Sequence, residues 1–62
     1  MEPVIKDLVF NSGMGVSFCR KAWNYFGDYP ESIKFVKFAS SLNYAGDPNF
    51  DNVLTMYKEE NG

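Results

Sequence analysis

Turn-forming residues cut this chain into four pieces, each the length of a short helix. The breaks are Ser12-Gly13-Met14-Gly15, Gly27-Asp28 and Ala45-Gly46-Asp47-Pro48. Glycine enters left-handed backbone at little cost, and Pro cannot continue a helix or a central strand, so such clusters end regular structure. Between the breaks the apolar residues recur at helical rather than alternating spacing. The chain is therefore expected to be all-α, with its helices packed into one small bundle.

The first segment runs from about Pro3 to Asn11, with Pro3 in the first turn and Ile5, Leu8 and Val9 on one face. The second runs from Val16 to Phe26. Its Cys19, Ala22, Trp23 and Phe26 follow the i, i+3, i+4, i+7 pattern, Gly15 is the expected N-cap, and Gly27 ends it with positive φ. The third starts at Asp28, with Pro30 in its first turn and Glu31 at the spacing of a capping box. It carries two apolar stripes, Tyr29/Ile33/Val36 and Phe35/Phe38/Ala39/Leu42, so it should touch partners on two flanks. The fourth runs from about Pro48 to Lys58, capped by Asp47, with Phe50, Val53, Leu54 and Tyr57 on one face and Glu59–Gly62 fraying.

At 62 residues there is room for one domain only. Hydrophobic residues make up 45% and aromatic residues 18%, enough for a core without cross-links. None is available: Cys19 is the lone cysteine and histidine is absent, so an internal disulfide is impossible and a structural zinc site is not expected. No run of about 18 apolar residues could span a membrane. The N-terminus lacks the basic and apolar regions of a signal peptide, and a cytoplasmic location is expected. Eight acids against six bases give net charge −2, which argues against generic nucleic-acid binding.

No catalytic constellation emerges, and no cofactor is implied. Cys19 has no histidine to serve as its base and sits at a core-facing position, so it reads as a small buried hydrophobe. Trp23 and Phe26 fall on the same core stripe. Phe18 and Tyr25, seven residues apart, share a different face, and Met14 precedes them in the turn. Exposed together, the three would form a sticky protein-binding patch; covered by the first helix or the tail, they would be core. Arg20, Lys21, Lys34 and Lys37 make the middle of the chain basic. They are either solvated helix faces or a docking patch for an acidic protein or a nucleic acid backbone. A small helical DNA- or RNA-binding domain using those four residues is the alternative reading. The acids Asp28, Glu31, Asp47 and Asp51 read as caps and first-turn charges.

The stretch Ser12-Gly13-Met14-Gly15-Val16-Ser17-Phe18-Cys19-Arg20-Lys21-Ala22-Trp23 resembles the N-terminal domain of the elongation factor Ts family, a member of the ubiquitin-associated (UBA)-like superfamily. There the pattern is Thr-Gly-Ala-Gly-Met-Met-Asp-Cys-Lys-Lys-Ala-Leu. Gly13, Gly15, Cys19, Lys21 and Ala22 are identical, and the register resumes at Gly27-Asp28 and continues through Ser32-Ile33-Lys34-Phe35-Val36-Lys37. About half the chain is covered. The resemblance implies a compact three-helix UBA-like core, about residues 3–42, with a C-terminal fourth helix at about 48–58 packed on it, in a single domain of residues 1–62. It also implies non-catalytic protein binding through the Gly13–Gly15 turn, the start of the second helix and the end of the third. The residues expected to touch a partner are Met14, Gly15, Phe18, Arg20, Lys21, Tyr25 and Lys37. An elongation factor Tu-like or ubiquitin-like protein is the kind of partner implied, with no membrane and a monomer or weak homo-oligomer. The departures count against the family's own partner: the Thr-Asp-Phe-Val segment of the exchange factor is absent, and Phe18 and Met14 replace an Asp and an Ala. A chain that starts at Met1 and is this short reads as a free-standing small protein, such as a phage or viral regulator that occupies a host factor.

Overall fold

The computed structural model describes residues 1–43 and 47–62, and its helices fall where local chemistry places them. Helix α1 spans Pro3–Ser12, α2 Val16–Phe26, α3 Tyr29–Ser41 and α4 Phe50–Asn61, with no strand among the described residues. Gly13 ends α1 at φ 75°, and its N–H returns to the Val9 carbonyl at 2.8 Å. Gly27 ends α2 in the same way, at φ 77° with its N–H on Trp23. These are left-handed caps that other L-residues adopt only with strain. Ser12 tightens the first turn: its Oγ donates to the Leu8 carbonyl at 2.6 Å and accepts from the Met14 N–H at 3.1 Å.

The start of α3 is as expected, with the Asp28 carboxylate accepting the Glu31 N–H at 2.9 Å. The start of α4 is not. Asn49 is the cap, its Oδ1 accepting from the Asn52 N–H at 3.0 Å, and Phe50 opens the helix; Pro48 lies two residues outside. The Asp47 carboxylate lies instead against Gly15, where an added Cβ would oblige that side chain to move. The Gly15 φ of −71° is one that any residue adopts. The expected fraying of the tail is absent through Asn61. Tyr57 is buried, and the Asn61 side-chain amide donates to its carbonyl at 2.8 Å, adding a bond to the last turn. Ala45-Gly46 of the expected third break lie outside the described residues.

Helices α1, α2 and α3 pack against one another, and α4 lies on α3. The two flanks read from the α3 stripes are therefore both occupied. The core is Ile5 and Leu8 of α1, Phe18, Cys19 and Ala22 of α2, Phe35, Val36 and Ala39 of α3, and Val53 and Tyr57 of α4, with Met14 from the first turn. Cys19 and Ala22 are fully buried, and their small size lets α2 approach its neighbours. Ser32 is buried with them: it stands three and four residues before Phe35 and Val36, on the same face of α3, and its Oγ has no hydrogen-bond partner among the described residues. The Cα radius of gyration is 10.4 Å, against about 10.6 Å expected for a packed chain of this length. No described helix is long and apolar enough to cross a membrane.

Candidate protein-binding surface

An aromatic cluster joins the ends of three helices. Phe18 lies parallel to Phe35, with ring centroids 5.6 Å apart, and meets the edge of Phe50 at 5.6 Å. Phe35 also meets Phe26, Phe50 and Tyr57 at 5.2, 5.4 and 5.2 Å. Offset and edge-on pairs at these distances are the arrangements the ring quadrupoles favour.

This cluster corrects the expected contact patch. Phe18 is 2% exposed and Met14 is 4% exposed, so neither presents a face to a partner. Phe18 is covered on two sides, by Phe35 of α3 and by Phe50 of α4. Of the three apolar residues singled out, Tyr25 alone is at the surface, 50% exposed. Gly15 is half-covered, with Asp47 against it.

Tyr25 stands at the mouth of an apolar groove of about 360 Å³ between the C-terminal ends of α2 and α4. The walls are Phe26, Leu54 and Tyr57, with Asn61 at one end. Tyr25 is propped edge-on against Phe26 at 4.9 Å and against Phe50 at 6.2 Å, which holds its ring upright while leaving one side free. The Lys58 ammonium lies 5.5 Å from the Tyr25 ring centroid, within cation–π range. Lys21 is exposed one turn before Tyr25 on the same face of α2. Leu54, Tyr57 and Lys58 belong to this surface although the sequence reading placed no contact on α4. Their apolar spacing announces a buried face, and only the crossing with α2 leaves its edge open.

Of the four basic residues singled out, one is paired. Arg20 turns toward α1, where it bonds the Glu2 carboxylate at 2.8 Å, the one ion pair among the described residues. That hydrogen bond, more than the charge alone, holds Glu2 below the ordinary carboxylate pKa. Lys34 and Lys37 are exposed on the outer side of α3. Tyr29 donates a hydrogen bond to Asp7, which raises the tyrosine's pKa by stabilising its neutral form. Phe10, 75% exposed, was absent from the expected contacts, although it lies off the Ile5/Leu8/Val9 stripe and that displacement is visible in the sequence. Lys6 covers it at 5.8 Å.

Cys19 is buried, and burial is the main cause of its raised thiol pKa. The nearby Asp47 charge adds to the rise, while the Ser12 hydroxyl, 3.9 Å from Sγ, works against it. A thiol kept neutral and covered reacts only when the fold opens. At pH 8 its alkylation by iodoacetamide should therefore be at least about tenfold slower than in the urea-unfolded chain. Equal rates would mean Cys19 is accessible.

No protein-family model, no curated protein and no solved structure matches this chain.

Proposed function

We propose that this chain is a non-catalytic protein-binding module of UBA-like type whose contact surface is the Tyr25 groove. The observation that carries the reading is a propped, half-exposed tyrosine at the edge of an apolar groove, beside an ammonium with no carboxylate partner among the described residues. Aromatic anchors in partly closed apolar pockets are the common centres of protein interfaces. At about 100° per residue Glu59 and Glu60 of α4 do not share the face of Lys58, so they are not placed to pair with its ammonium. Together with Lys21 this suits a partner that inserts an apolar or aromatic side chain and places a carboxylate next to it. The order of short helices and the Gly13–Gly15 turn support the UBA-like assignment. An elongation factor Tu-like or ubiquitin-like partner, a cytoplasmic location and a role as a small phage or viral regulator all belong to the same proposal.

Capture from host lysate, followed by titration of the captured protein and of purified elongation factor Tu and ubiquitin, tests it. Tyr25→Ala should weaken binding about thirtyfold, the loss typical of an interface anchor. Lys58→Glu should weaken it further as salt is lowered, because reversed charge then repels the partner's acid. Phe10→Ala, on the opposite region of the surface, should bind like the parent. A partner that binds the parent and Tyr25→Ala with equal affinity would remove the groove from the interface.

A further inference from the structure

Helix α4 is attached differently from the other three. Polar bonds tie α1 to both its neighbours: Arg20 to Glu2, and Tyr29 to Asp7. Among the described residues no hydrogen bond or ion pair joins α4 to α1, α2 or α3. Its side-chain bonds all close locally, Asn49 with Asn52, Thr55 with Asp51, and Asn61 with Tyr57. What holds it is one apolar face, Phe50, Val53, Leu54 and Tyr57, laid on a floor that includes Phe18, Phe35 and Phe38. The Lys58–Tyr25 contact is added at the edge. This is the arrangement of an amphipathic helix bound in a groove, with anchors at i, i+3, i+4 and i+7.

We propose that this groove exchanges its helix, so that α4 of a second copy takes the place of the chain's own in a reciprocal dimer. The occupant is a second copy because every copy carries the one helix whose side chains are seen to fit. Exchange keeps each apolar contact and sacrifices no polar bond, so the balance falls to the link between α3 and α4 and to the entropy of association. In the closed form Asn43 holds φ 62°, the one positive φ outside glycine among the described residues, with its N–H on the Ser40 carbonyl at 3.4 Å. Asn tolerates that conformation, glycine takes it freely, and a β-branched residue resists it. The identity of residue 43 therefore sets the proportion of closed monomer to exchanged dimer. This inference does not depend on the Tyr25 groove, which is rebuilt in the dimer from α2 of one copy and α4 of the other.

The parent chain, Asn43→Gly and Asn43→Val, each refolded at about 1 mM, are compared by analytical ultracentrifugation across concentration. The left-handed penalty is about tenfold at each link. Two links per dimer then make the Asn43→Val dimer about a hundredfold tighter than that of Asn43→Gly, with the parent between. Amide exchange of the parent should show α4 opening without α1–α3, and α4 should remain protected in the dimer. Three monomers throughout, or dimer affinities indifferent to residue 43, would overturn the proposal. So would α4 amides that exchange only when the whole fold opens, a measurement that needs no variant. Binding of an unrelated amphipathic helical peptide with no dimer at any concentration would assign the groove to a foreign helix instead.

Discussion

Phe35→Ala is expected to leave most of the chain unfolded at 25 °C. Phe35 is fully buried, and its ring is within 5.6 Å, centroid to centroid, of Phe18, Phe26, Phe50 and Tyr57. It touches aromatic rings of both α2 and α4 from the middle of α3, and has four ring partners in all. Truncating a buried Phe costs about 3–5 kcal/mol, through lost transfer energy and the cavity left behind. Native stability of about 0.05–0.15 kcal/mol per residue amounts to roughly 3–9 kcal/mol here, so the loss is comparable with the whole. Phe35→Leu, closer in volume, should cost far less, and Phe10→Ala, at the surface, should cost less than about 0.5 kcal/mol. Urea titration followed by far-UV circular dichroism and Trp23 fluorescence measures all three. A Phe35→Ala midpoint near that of the parent would show that the aromatic cluster is not the centre of the fold.

Val53→Asp is expected to detach α4 at neutral pH. Val53 is fully buried between α4 and its floor. A carboxyl left there has its pKa raised by up to about 3–5 units, equivalent to several kcal/mol against the ionised form at pH 7. The protein escapes that cost by releasing the helix, so the penalty saturates at the free energy with which α4 is held. The sign follows from linkage. With the folded pKa raised above the unfolded value, the variant is most stable below the unfolded carboxyl pKa, and loses stability as pH rises toward the folded one. The gap between Val53→Asp and the neutral Val53→Asn should therefore widen from pH 4 to pH 7. Amide exchange should show α4 unprotected and α1–α3 protected. A gap that does not change with pH would mean that position 53 is reached by water in the folded state.

Helix boundaries were legible because they are settled within a few residues. Gly13 and Gly27 are the residues able to take φ near 75° without strain, so α1 and α2 stop there in almost any context. Asp28 and Glu31 close a hydrogen bond three residues apart, so α3 begins where the spacing says. The α4 start was misread for the same kind of reason in reverse. Asp47 and Asn49 are both good caps before an apolar run, and local spacing does not choose between them; in the fold Asn49 takes the cap and the Asp47 carboxylate lies by Gly15, more than thirty positions earlier.

The sequence by itself determined four amphipathic helices, their order, and which small and aromatic faces turn inward, because the forces responsible act over one or two helical turns. Only the tertiary structure decided what each face meets. Phe18 has the same helical position whether exposed or buried, and it is the packing of α3 and α4, with Phe35 and Phe50 on its ring, that makes it core while Tyr25 stays half-exposed. Burial is a property of pairs of surfaces, and pairing across the chain is not written in any local spacing.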